Sequence, residues 1–244
     1  TRIESKVKKL VTQERNVQEI FHDQDSWELI KLVTRHIRKF TRDMTVSGDV
    51  TLFYRQANQD LVGFKEPHRD MPEASSTSFE EDGHPGSCVA WVSVTDADVE
   101  NSCLQYLPKE NDRYYYQPGM NCTEAIGEQE LRTIPTKKGD VVLISNRVIH
   151  CGTVPARKSS KCRIALSFVL VSKSMNPCLE PFFKHLPRTQ QERVFIQRIL
   201  SIYYQEQLRT KNIESLKTWL SKQEIFYDMC HQRMLKKILC DLLN

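Results

Sequence analysis

Long hydrophobic runs are missing from this 244-residue chain. The longest, Ile164 to Val171, is far shorter than the roughly 20 apolar residues a membrane-spanning helix needs. Thr1 to Ile20 is studded with Lys, Glu and Gln and has no apolar centre, so no secretory signal is read there and an intracellular, cytoplasmic location is expected. No two cysteines stand in a Cys-x-x-Cys spacing, which removes the commonest structural zinc pattern. The eight cysteines build no regular disulfide framework either; Cys88, Cys103, Cys162 and Cys240 lie among apolar neighbours and read as reduced core thiols. Internal repeats and low-complexity tracts are absent. Neither sign of charge dominates: 35 Lys and Arg against 31 Asp and Glu leave +4, which suits a small anionic substrate as well as it suits nucleic acid and so decides nothing alone.

What is present is enough chain for one domain with a buried core. Ile3, Val7, Leu10, Val17 and Phe21 recur at helical spacing, and Asp25-Ser26-Trp27-Glu28 has the form of a capping box ahead of Trp27, Ile30, Val33, Ile37 and Phe40. From Asp49 the period shortens to two. Asp49 to Gln56, Cys88 to Thr95, Gly139 to Ser145 and Cys162 to Val171 are rich in β-branched and aromatic residues and predict strands. Between them lie two long polar stretches, Pro72 to Ser87 and Lys109 to Thr136, the second holding Tyr114, Tyr115 and Tyr116. Loops of that length in a compact domain are more often functional than idle. After Pro187 the helical period returns, with Thr189-Gln190-Gln191-Glu192 as a further capping box. The expected layout is a mainly β protein with flanking helices: N-terminal helices over 1–48, a β core over 49–171 and a helical extension over 172–244.

The chemistry is carried by a few residues. In His68-Arg69-Asp70 an extended backbone sends the first and third side chains out of one face, so an imidazole and a carboxylate can converge on one ion. A facial metal set needs a third ligand, and His150 is the best candidate: it follows the strand predicted over Gly139 to Ser145 and precedes the turn Cys151-Gly152. His84 is the next. Arg163 opens a strongly apolar strand and shares a face with Ala165 and Ser167. A guanidinium buried there calls for an anionic partner, and a carboxylate gripped through two parallel hydrogen bonds would provide one, with Ser167 able to add a hydroxyl. Each residue alone has an ordinary reading: a surface His-x-Asp, a satisfied core histidine, an arginine paired with a structural carboxylate. Their order along the predicted strands is what points to a site. His68-Arg69-Asp70 also spells the start of a kinase catalytic loop, but position 75 is Ser75 rather than Asn, and the Asp-Phe-Gly and Gly-rich elements are missing.

Pro67-His68-Arg69-Asp70, Glu100-Asn101-Ser102-Cys103-Leu104-Gln105-Tyr106-Leu107-Pro108, Lys138-Gly139-Asp140-Val141-Val142 and His150-Cys151-Gly152 with Arg163 together resemble the phytanoyl-CoA dioxygenase family. The resemblance covers about half of the chain. It implies a double-stranded β-helix, a jelly-roll or cupin-like barrel. It also implies Fe(II) held by His68, Asp70 and His150, 2-oxoglutarate held by Arg163, and O2 as oxidant. The implied reaction hydroxylates an unactivated C–H bond, with oxygen rather than halogen inserted because Asp70 fills the position that related halogenases leave to chloride. Ser102 departs from the family's Asn-Gly-Cys-Leu turn. A small-molecule substrate is expected; a protein or nucleic-acid substrate, suggested by the basic runs Lys6-Val7-Lys8-Lys9 and Lys158-Ser159-Ser160-Lys161, and a non-catalytic binding scaffold are the alternatives. Oligomeric state is open.

Overall fold

The computed structural model describes residues 2–57, 66–70, 79–116, 131–154 and 159–172. Two helices lead, α1 (Arg2–Thr12) and α2 (Gln24–Thr41), with a 3-10 turn (Val17–His22) between them. Seven strands follow: β1 (Thr45–Arg55), β2 (Ser87–Ser93), β3 (Leu104–Tyr106), β4 (Arg132–Ile134), β5 (Val141–Ser145), β6 (His150–Gly152) and β7 (Arg163–Val171). They form a four-stranded sheet in the order β1-β7-β2-β5 and a three-stranded sheet in the order β4-β3-β6, with every paired neighbour antiparallel. The predicted C-terminal helices, Cys240 among them, lie outside the described residues.

The helical period of Ile3 to Phe21 does not make one helix. Asn16 breaks it, its side chain accepting the Gln18 amide at 2.9 Å to start the 3-10 turn. That turn docks on the sheet through Gln18, whose side chain exchanges two hydrogen bonds with the Leu52 backbone at 2.7 and 3.0 Å. The cap of α2 is Asp23, which accepts from the Asp25 amide, so the expected capping box falls two residues inside the helix. Ser26 turns inward to bond the Ile20 carbonyl at 3.0 Å. β1 begins at Thr45, inside the stretch assigned to the helical arm.

Alternation along β7 sets the layers. Ile164, Leu166, Phe168 and Leu170 face the helices, packing with Phe21, Trp27, Ile30, Val50, Leu52, Ala90 and Val92 into the main core. Each large side chain buried there contributes about 1.5–3 kcal/mol, so apolar packing outweighs the surface ion pairs that also join helices and sheet. The opposite face of the same sheet meets the small sheet: Trp91, Ile144 and Ala165 pack with Leu104 of β3, and Phe53 and Ile134 border them. Cys88 and Cys103 are buried free thiols, as is Cys151, and Cys162 is half-buried and free. Burial pushes the Cys88 thiol up to about 12, leaving it inert. Among the described residues no helix is long and apolar enough to cross a membrane.

One ion pair between layers makes stability depend on pH. Glu4 of α1 accepts from Lys138 at 2.6 Å and from Lys8 at 2.8 Å, and these lysines, Lys138 foremost, hold its carboxyl down to about 2. A carboxyl depressed in the folded state adds stability above its unfolded pKa and loses that contribution as pH falls through the folded one. Glu4→Gln should therefore destabilise the protein by about 0.5–1 kcal/mol at neutral pH. Urea midpoints taken at successively lower pH should converge with those of the parent; a gap that stays constant down to about pH 3 would show that the pair contributes nothing.

Candidate metal centre

His68 and His150 form an antiparallel pair that exchanges both backbone hydrogen bonds, His68 N to His150 O at 3.0 Å and His150 N to His68 O at 2.9 Å. Directly opposed residues send their side chains to one face, and the ring centroids stand 4.6 Å apart. Asp70, two residues on, returns to that face. Its Oδ1 lies 3.7 Å from His68 Nε2 and 3.6 Å from His150 Nε2. The three ligand atoms fall within 4.8 Å of one another, the one such group of His, Cys, Asp or Glu found among the described residues.

The tautomers suit a metal. His68 Nδ1 lies 3.0 Å from the Glu66 carbonyl and His150 Nδ1 lies 3.0 Å from the Val148 carbonyl. A carbonyl only accepts, so each Nδ1 carries a proton, which leaves Nε2, the nitrogen on the Asp70 side, as the atom able to bind a metal. Two imidazoles and one carboxylate grouped on one side are a donor set that could hold a non-haem metal and leave its opposite positions open. His84 is not among these ligands; it sits exposed in a turn where its amide donates to Asp82.

Strand register turns the three candidate ligands toward the sheet that carries Arg163. His150 stands directly across from Tyr106, and Leu104, two residues earlier, points the same way into the cluster with Trp91 and Ala165. His68, Asp70 and His150 therefore face the inner side of the four-stranded sheet, where β7 carries Arg163, Ala165 and Ser167. Arg163 packs over the Trp91 ring at 5.4 Å and donates to the Ser102 carbonyl. Its Nε is buried without a hydrogen-bond partner. Burial, with a smaller push from Arg55, lowers its pKa to about 10, so it remains charged at neutral pH. Ser167 shares that face but lies about 13 Å further along the strand, between Thr51 and Trp91, with Ala165 intervening.

Several neighbours escaped sequence reasoning. Arg55 stands opposite Arg163 in the β1–β7 ladder and is buried, which lowers its pKa as well. Only its pairing with position 163 marks it, and pairing is not visible in a single strand. Tyr106 shares the ligand face beside His150, and Cys151-Gly152, expected as a turn, belongs to β6. Arg69, between the two ligands, leaves the opposite face and pairs with Asp112 through two bonds of 2.7 and 2.9 Å, both side chains almost fully buried. Behind the metal strand, Leu107 and Ile149 pack with Leu131.

An antiparallel β domain that converges His-x-Asp and a distant His on one face is an arrangement able to hold a non-haem metal. A model of the phytanoyl-CoA dioxygenase (PhyH) family matches residues 2–164, and the chain belongs to that family. Among solved structures, the chain is similar to apo ThoJ, described as a non-haem monooxygenase: 12% identity over 79% of this chain and 75% of that one, TM-score 0.52. It is also similar to AviO1 from Streptomyces viridochromogenes Tue57, with 17% identity, 59% of each chain covered and a TM-score of 0.45. For EvdO2 from Micromonospora carbonacea var. aurantiaca, complexed with 2-oxoglutarate, the values are 16% identity, 62% and 68% coverage and 0.42. The chain spans less than two thirds of AviO1, and the likeness to ThoJ is one of fold. A comparison with curated proteins found no significant match.

Ser102 occupies the left-handed region at φ 74°, the conformation that makes glycine the favoured residue in its turn. The turn is held by Asn101, buried, which accepts from the Asp98 amide at 2.7 Å and donates to the Asp96 carbonyl at 2.9 Å. Ser102→Gly should relieve strain more than it loosens the unfolded chain and stabilise the protein by about 0.5–1 kcal/mol. Denaturant midpoints measure this; a destabilised glycine variant would mean that the serine side chain, and not the backbone, holds the turn.

Proposed function

We propose that this protein is an Fe(II)- and 2-oxoglutarate-dependent oxygenase acting on a small molecule, and that its two sheets belong to a double-stranded β-helix. The observation that carries the proposal is the pair of histidines whose Nδ1 atoms are held by main-chain carbonyls while both Nε2 atoms meet Asp70. In this reading His68, Asp70 and His150 hold the iron, and Asp70, filling the third position, favours oxygen over halogen insertion. Bound iron with 2-oxoglutarate and O2 supplies the oxidising power for an unactivated C–H bond, with succinate and CO2 as co-products.

The chain's own residues do the rest. The neutral imidazoles and the single carboxylate leave a divalent ion positively charged and open on one side. Arg163 meets the distal carboxylate with its orphaned Nε, and Trp91 beneath the guanidinium fixes its plane and keeps water from it. Ser167 is left out of that contact because of its distance along the strand. A small substrate is favoured over a polyanion because two of the three lysines in the basic run of α1 already have carboxylate partners: Lys6 pairs with Asp23 and Asp25, and Lys8 with Glu4. Lys161 likewise reaches Asp98.

Two measurements test the assignment. Calorimetric titration with manganese, an inert stand-in, should show tight binding by the parent chain and strong loss on His150→Ala; equal affinity would place the third ligand elsewhere. Affinity for 2-oxoglutarate should fall in the order Arg163, Arg163→Lys, Arg163→Ala, by at least about tenfold for alanine, since a charge-assisted contact contributes about 1.5–3 kcal/mol. Manganese binding should barely change. An alanine variant with full 2-oxoglutarate affinity would remove Arg163 from the site even if the metal ligands stood.

A further inference from the structure

We propose that Arg69 and Asp112 form a positioning pair, which clamps the metal-ligand segments into one unit and couples the loop from Lys109 to Tyr116 to occupancy of the metal centre. The inference rests on the metal reading above. Alternation requires that when His68 and Asp70 point toward the ion, Arg69 points away from it. There its guanidinium meets Asp112 in a two-point pair of 2.7 and 2.9 Å, and it also donates to the carbonyl of Arg147, three residues before His150. One side chain thus grips the segment of His68 and Asp70, the approach to His150 and the loop at once.

The loop is tied in from its own side. Asp112 Oδ1 accepts the Tyr114 amide at 3.1 Å, and the buried Arg147 donates to the carbonyls of Tyr114 at 3.2 Å and Tyr115 at 3.0 and 3.1 Å. Among the described residues, the backbones of His68 and His150 are joined by one bridge of two hydrogen bonds. A planar guanidinium held at three oxygens adds a rigid side-chain link to that bridge. A buried ion pair is seldom required for stability, since apolar residues of similar volume often replace it without loss. Its place directly behind the ligands points to orientation, the support that metal-binding side chains need from their surroundings.

The test uses the full chain and manganese alone. The double variant Arg69→Met with Asp112→Leu should fold with a metal-free thermal midpoint close to that of the parent, yet bind manganese about tenfold more weakly or worse. Arg69→Lys, which keeps the charge but not the two-point grip, should fall between. In the parent, manganese should slow hydrogen exchange at the Tyr114 and Tyr115 amides; in the double variant it should not. A folded double variant with full manganese affinity and unchanged metal-dependent protection overturns the proposal. So does failure of both variants to fold, because the pair then serves stability alone. A parent chain that binds no manganese defeats the metal reading first, and this inference with it.

Discussion

Strand β7 is hydrogen-bonded along both edges and covered on both faces, and the rest of the structure inherits its register. Its even-numbered residues, Ile164, Leu166, Phe168 and Leu170, are almost completely buried against the helices, while Arg163, Ala165 and Ser167 look into the space between the sheets. A slip of one residue would exchange these sets, driving a guanidinium among Trp27, Phe21 and Ile30 and turning Ile164 toward the ligands. Burying a charge without a counterpart costs several kcal/mol, so register and site are enforced by the same alternation. The pairings of Trp91 with Ser167 and of Phe53 with Ala165 transmit that register to β2 and β1.

The small sheet depends on something else. Its strands are three residues each, too short for ladder hydrogen bonds to hold them alone. Leu104 fastens it to the large sheet from within, and Leu107 and Ile149 with Leu131 close it from behind. The proposed ligand His150 therefore sits on a layer stabilised by side chains on both faces rather than by its own backbone pairing, which gives the Arg69–Asp112 contact its importance.

This difference explains what could be read in the sequence. Strands β1, β2, β5 and β7 are long enough for alternation to show, and their predicted spans overlap the observed ones within a few residues, apart from the earlier start of β1. Strands β3, β4 and β6 are three residues each, too short for alternation to repeat, so Arg132-Thr133-Ile134 passed as loop and Cys151-Gly152 as turn. The helix-breaking Asn16 and the cap at Asp23 were masked by an apolar period that continues across them. The convergence of His68, Asp70 and His150 was legible because two ligands share one extended segment and the third follows a recognisable strand. Asp112 was not, because a single Asp in a polar stretch carries no mark of the arginine it will meet.

The two facing walls differ in charge in a way that limits what can lie between them. One wall offers two imidazole nitrogens and a single carboxylate; the other offers the Arg163 guanidinium, whose pKa burial lowers to about 10, with Arg55 beside it. A divalent ion held on the first wall as proposed, with Asp70 beside it and with Arg163 and Arg55 opposite, would leave an excess of positive charge in a setting where water compensates poorly. A monoanion would satisfy one end and leave the other unpaired, whereas a dicarboxylate reaching from ion to guanidinium would place negative charge at both ends. The same charge balance argues against strong binding of the dicarboxylate before the metal arrives, because Asp70 would then repel its near end. Ordered binding, ion first and acid second, thus follows from the proposed ligand set and the placement of one aspartate and one arginine on opposite sheets.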